Sequence, residues 1–379
     1  MTGYAYAGYP ALVALAARRR PVESYPDHLP DVTIVVSALD EQDVIGARLN
    51  NLRALDYPAD RLEVVVVTDG SSDDTARVAQ AHAWPGVVVL HEPERRGKAA
   101  AMARAVDHAH HSVIVFSDAN NRYPPNGMRE LLKPLADPHV GAVTGAKAVE
   151  GGSAALTGGE RVYWAYESFI KRQESRLGCC TAVVGEMLAV RRALVPNFPS
   201  DLVNDDFFIA MQVARQGYRV AYAPKAVSWE PTSASLESDV VRRRRMTAGR
   251  WQSLFRWRAV LPVREPLVMW QVASHKYVRL LLPFSMAAAF GASLVAVAVS
   301  GQRRPVLAAV LVAQGAFYGL AALGDHVPEA AGPVRTVAVG ARYLTRTNYA
   351  SAEGLLAYLR GRRSLHLWER VQRTASPAG

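Results

Sequence analysis

"RLEVVVVTDGSSDDTARVAQAHA" (residues 61–83) decides the fold. Four consecutive valines between Glu63 and Thr68 form a β-branched apolar run without a polar face. Such a run is a strand buried on both sides. Asp69 and Gly70 then turn the chain, and "SSDDTARVAQAHA" reads as a helix. The same unit recurs on either side. "DVTIVVSAL" (31–39) leads into "DEQDVIGARLNNL" (40–52), where Val44, Ile45, Leu49 and Leu52 share one helical face. "GVVVL" (86–90) precedes a helix in "GKAAAMARAVDHAHH" (97–111), and "SVIVFSDAN" (112–120) supplies a fourth strand. Strand and helix alternating through short connections predict an α/β fold, a doubly wound and mostly parallel sheet with helices on both faces. Ligands of such sheets lie beyond the carboxyl ends of the strands. The residues to inspect are therefore Ser37 to Glu41, Thr68 to Ser72 and Ser117 to Asn120, and every one of these clusters carries acid.

The chain is long enough, at 379 residues, for more than one structural unit, and half of it is apolar. Its two cysteines, Cys179 and Cys180, are adjacent, which suits neither a disulfide framework nor a zinc site. A net charge of +10 would suit nucleic acid, anionic lipid or a phosphorylated substrate. No nucleic-acid module accompanies the charge, and much of it lies in the last third, beside long apolar runs. Leu280–Ser300 and Pro305–Gly324 carry no charge and each is long enough to span a bilayer core, with "GQRR" between them. The expected organisation is a membrane-associated segment (1–30), the α/β domain (31–230), interfacial amphipathic helices (231–279), a transmembrane hairpin (280–324) and an amphipathic segment with a polar tail (325–379). Arg18 to Arg20, Lys276, Arg279 and "RGRR" (360–363) put the basic side of the membrane with the α/β domain.

Several chemistries are excluded. No Gly-x-Gly-x-x-Gly follows the first strand, "RRGKAA" lacks the rest of a Walker loop, and no serine elbow is present. What remains is acid at strand ends, the early Lys98, and the acidic pair in "SDLVNDDFFIAMQVARQGYRVAY" (200–222).

In this order and spacing, "VSALDEQDVI", "VVVVTDGSSDDT", "RRGKAAAMARAV", "VFSDAN", "VNDDFFIAMQVARQGYRVAY" and "RRRRMTAGRW" resemble a family 2 glycosyltransferase of the membrane-attached cellulose and hyaluronan synthase branch. The resemblance covers roughly 31–260 and implies a GT-A fold that moves a sugar from a nucleotide-diphosphate donor, most often UDP-linked, with inversion. The acceptor would be a glycan or a lipid-linked molecule, and the catalytic domain would lie on the cytoplasmic face of the inner or plasma membrane. A polyprenyl-phosphate glycosyltransferase and a catalytically weak subunit of a polysaccharide assembly system are the alternatives. By the same resemblance Asp69, Lys98 and Arg250 bind the donor. Asp118 does so too and, with Asn120, holds Mg²⁺ or Mn²⁺. Asp206, flanked by Asp205, is the catalytic base, and Trp251, Gly185 and Glu186 face the acceptor. Asn120 departs from the family's second aspartate, and Thr247 stands where the family has glutamine.

Overall fold

The computed structural model describes residues 1–150, 154–231, 236–300, 305–324, 326–327 and 332–361. Arg303, Arg304 and the end of "RGRR" lie outside them.

The seven strands are β1 (Val32–Ala38), β2 (Leu62–Asp69), β3 (Val87–Glu92), β4 (Val113–Asp118), β5 (Val140–Glu150), β6 (Leu188–Arg191) and β7 (Arg219–Pro231). They form one sheet in the order β3-β2-β1-β4-β6-β5-β7. β1 pairs in parallel with β2 and β4, β2 with β3, and β5 with β7, whereas β6 runs antiparallel to both β4 and β5. All seven residues of β1 are buried. Each buried valine of that strand contributes about 1.5 kcal/mol or more to the hydrophobic term.

Helix α1 (Tyr9–Ala17) precedes the sheet; α2 (Ile45–Arg53), α3 (Thr75–Ala81), α4 (Lys98–His108) and α5 (Gly127–Leu132) connect its strands. α6 (Ala154–Leu177) and α7 (Asp205–Arg215) follow. One core joins α2 and α5 to one face of the sheet through Ile45, Leu49, Leu52, Leu131 and Leu132. The opposite core joins α4 and α7 through Met102, Ala105, Ile209 and Val213.

Beyond the sheet come α8 (Leu236–Phe255), the single turn α9 (Trp257–Val260), α10 (Pro266–Val272), α11 (Val278–Ser300), α12 (Pro305–Leu323) and α13 (Pro333–Leu359). Two stretches, Pro266–Val299 and Pro305–Leu323, are helical, long and apolar enough to cross a membrane, and little of either is buried inside the protein.

α1 buries Tyr9, Val13 and Ala17 against the protein and exposes Leu12 and Leu15. The Tyr9 hydroxyl donates to Glu174 Oε1 of α6 at 2.5 Å. The same oxygen lies 2.7 Å from His275 Nδ1, and His275 Nε2 lies 3.1 Å from Glu167. Arg279, at the start of α11, donates to Glu167 at 2.6 Å. A chain of buried polar contacts thus joins the N-terminal helix, α6 and the start of α11.

Candidate active site

The strand order reverses between β1 and β4, and their carboxyl ends, with that of β2, open on one rim. Asp69 ends β2 and is fully buried. Its Oδ1 accepts the backbone N–H of Arg96 at 3.0 Å, and its Oδ2 that of Gly97 at 2.7 Å. Gly97 has a φ of +92°, which a residue with a Cβ rarely adopts. Asp69 therefore shapes the turn that starts α4 and delivers Lys98. Arg104, further along α4, donates to Glu92 at 2.7 Å and lies 4.0 Å from Asp69.

Lys98 meets two acids. Its Nζ is 2.9 Å from Asp118 Oδ1, at the end of β4, and 3.4 Å from Asp205 Oδ2. Burial works against the ammonium, but the Asp118 and Asp205 carboxylates outweigh it and raise its pKa. Asp205 and Asp206 open α7, behind the cap residue Asn204. Asp206 Oδ1 accepts the N–H of Phe207 at 2.7 Å. Burial, and then the charge of Asp205, push the Asp206 carboxyl up to about 6, against the opposing pull of the Phe207 N–H, Lys276 and Lys98. One carboxylate is thus neutralised by an ammonium while another is poised near neutrality, the division of labour that general-base chemistry uses.

Gly185 stands against Asp206. A Cβ at Gly185 would lie 3.2 Å from the Cβ of Asp206, so a side chain there would press on the acid. The next residue, Glu186, is 3.1 Å from Lys147 Nζ, and Lys147 also pairs with Glu230. These three side chains are 10–12% exposed, and breaking such a pair leaves an uncompensated charge. Lys147→Met is expected to lower the unfolding free energy by about 3 kcal/mol. Denaturant melts check this, and an unchanged midpoint refutes it.

Asn120 turns its amide toward Glu230, donating to Oε1 at 3.3 Å. Its carbonyl oxygen is then the side-chain atom it can offer a cation. Among the described residues no three Asp, Glu, His or Cys side chains gather to hold a metal. Asp118 and the Asn120 carbonyl would offer a hard cation two oxygen donors, the first of them a carboxylate that pairs with the Lys98 ammonium in this structure. That sparse set fits a cation whose remaining ligands are phosphate oxygens and water.

The other two residues expected at the site lie in α8. Arg250 is half-buried. It is close enough to Lys276 to act on its charge. Trp251 is 4% exposed. Its indole N–H donates to the Ser351 carbonyl of α13 at 3.1 Å, and its ring packs against Phe255 and Phe284. Thr247 donates to the Arg243 carbonyl one turn back. The structure therefore brings Asp69, Lys98, Asp118, Asp205, Asp206 and Gly185 to one rim, and seats the Trp251 ring in the helical layer behind it.

Sequence reasoning missed the residues that hold this rim in place. Asn121 Nδ2 donates to the Glu186 carbonyl at 2.8 Å and to Ser228 Oγ at 3.0 Å, and the Tyr123 hydroxyl donates to the same carbonyl at 2.5 Å. Together they clamp the Gly185–Met187 turn. Arg48 donates to Ser117 Oγ at 2.8 Å and stacks over Tyr123 at 4.0 Å. An arginine between Ile45 and Leu49, on an otherwise apolar face, was the available signal.

The family model described as "Glycosyltransferase like family 2" matches residues 30–251. Poly-beta-1,6-N-acetyl-D-glucosamine synthase of Staphylococcus aureus (strain MSSA476) is 26% identical over 239 residues, which is 61% of this chain and 54% of that protein. The Staphylococcus epidermidis protein of the same name is 22% identical over 245 residues. The chain spans about half the length of these curated relatives. Among solved structures, the mannosyltransferase PcManGT from Pyrobaculum calidifontis, in complex with GDP-Man and Mn²⁺, is similar with a TM-score of 0.71. The two are 26% identical, over 95% of this chain and 97% of that one. With a matching family model over more than half its length and the fold of a GT-A enzyme, this chain belongs to the glycosyltransferase-like family 2.

Proposed function

We propose that the protein is a membrane-bound, inverting glycosyltransferase that moves a sugar from a nucleotide-diphosphate donor to a hydroxyl of a glycan or lipid-linked acceptor. The observation that carries this reading is the Asp206 carboxyl, pushed up to about 6 beside the Asp118–Lys98 pair at the sheet's reversal. Asp206 takes the proton of the acceptor hydroxyl as its oxygen attacks the anomeric carbon. The donor's diphosphate leaves from the opposite face, so a single displacement inverts configuration. Lys98 and Arg250 bring positive charge to the diphosphate, and Asp69 holds the loop that positions Lys98. Asp118 and the Asn120 carbonyl would hold Mg²⁺ or Mn²⁺, which would supply charge neutralisation at the leaving diphosphate. Gly185 and Glu186 border the acceptor side, with Trp251 behind them. The two long apolar helices would fix the enzyme in the membrane, with the α/β domain on the cytoplasmic side.

The nucleotide is expected to be UDP, and the GDP-Man bound by the mannosyltransferase makes GDP the necessary comparison. Purified full-length protein, given UDP- and GDP-sugars with Mn²⁺ or Mg²⁺, is expected to release nucleotide and to label an acceptor. A panel in which no sugar nucleotide is bound or turned over would overturn the reading and favour a non-catalytic membrane subunit.

A further inference from the structure

A cavity of about 280 Å³ lies between β5, β7 and α6. Trp164, Tyr222 and Trp229 contribute rings to its walls, and the donor-side residues Lys98 and Asp118 do not line it. Most of its polar groups are already engaged. Lys147 pairs with Glu186 and Glu230, and Glu167 with His275 and Arg279. Ser168 Oγ and the Tyr222 hydroxyl lie 2.8 Å apart.

Lys171 differs. It lines the cavity, is 4% exposed, and among the described residues pairs with no carboxylate. Its ammonium lies 5.3 Å from the centroid of the Tyr222 ring. An aromatic face attracts a cation but does not replace a counter-ion, and lysines are almost never fully buried unless paired. Two of its lining residues, Lys147 and Glu167, connect the cavity by ion pairs to the two places an acceptor must reach. Lys147 leads through Glu186 to Gly185, which stands against Asp206. Glu167 leads to Arg279 at the start of the apolar α11.

We propose that this cavity is an oxyanion subsite for the acceptor, in which Lys171 is the counter-ion and Trp164 and Trp229 flank the group bearing the charge. The proposal rests on the transferase reading above. The oxyanion is a phosphate or carboxylate, carried by a lipid headgroup or by a soluble glycan.

The test uses full-length protein in maltoside micelles, with nucleoside diphosphate and Mn²⁺ saturating the donor side. Octyl phosphate, inorganic phosphate and neutral octyl glucoside are titrated while tryptophan fluorescence is read, because Trp164 and Trp229 line the cavity. Octyl phosphate is expected to bind saturably, octyl glucoside to give no response, and Lys171→Met to weaken octyl phosphate about tenfold or more. Lys171→Arg is expected to retain it. Inorganic phosphate binding as well as octyl phosphate assigns the subsite to a soluble oxyanion, and binding of octyl phosphate alone assigns it to a lipid headgroup. Equal octyl phosphate affinity in the wild type and Lys171→Met, or no saturable binding in either, overturns the proposal. Nucleotide affinity, measured on the same samples, is expected to be unchanged in Lys171→Met, which certifies its fold. Absence of nucleotide binding from the wild type would overturn the transferase reading, and this subsite with it.

Discussion

Asp206→Asn is expected to lower kcat about a thousandfold, the scale of a lost general base, with nucleotide affinity nearly unchanged. The amide keeps the volume and can still accept the Phe207 N–H, so only the proton acceptor is removed. The wild-type rate should rise with pH through about 6, where the carboxyl loses its proton, and then level off. The variant's small residual rate should lack that step. The same substitution acts on stability with a definite sign. The fold raises the Asp206 pKa above its ordinary value of 3.8, so it favours the protonated form. That contribution is complete below about pH 4 and is lost as pH rises through about 6. At pH 7.5 the wild type therefore carries an ionised acid that its surroundings resist, and Asp206→Asn should be more stable by about 1–2 kcal/mol. At pH 4 the two should melt together. Wild-type turnover in the variant would remove Asp206 from the chemistry, and equal melting at pH 7.5 would remove the burial argument.

The second large effect concerns the metal. With so few protein oxygens on offer, a divalent cation held here would depend on Asp118 for its one carboxylate. Asp118→Asn is expected to weaken nucleoside diphosphate binding in the presence of Mn²⁺ by about 100- to 1,000-fold, as loss of a charged ligand should. Without metal the sign changes. The variant has lost a negative charge beside the phosphates and loosened Lys98, so its nucleotide affinity should equal or exceed that of the wild type. Calorimetry with and without Mn²⁺ separates the two effects. An equal loss in both conditions would make Asp118 a purely structural acid.

The valine runs and the strand-end acids made the first half of the sheet legible, because local periodicity alone determines them. The pairing in the far half was not legible. β6 runs antiparallel between β4 and β5, a pairing set by residues tens of positions apart. Helix starts were also misplaced. The segment expected to begin a helix at Asp40 does so only at Ile45. Asp40 adopts a φ of +52°, and its carboxylate accepts the Ser72 N–H at 2.7 Å, tying the loop after β1 to the loop after β2. The acid at Asp40, in a strand-end cluster marked for inspection, is engaged in joining loops. At the site itself, Asp118 and Asp206 could be found from their neighbours in sequence. The clamp of Asn121 on Ser228 and the pairing of Lys147 with Glu186 could not, since nothing local distinguishes those polar residues from surface ones.

The contact between Tyr9 and Glu174 bears on how the enzyme can be handled. A fragment trimmed to start at the first strand would strip the hydroxyl from an acid that has no access to water, and would unseat the imidazole behind it. The leading helix is thus a keystone for the joint between the α/β half and the half that carries the long apolar helices, and shortening the gene at that end should yield aggregated product rather than a tidier catalyst.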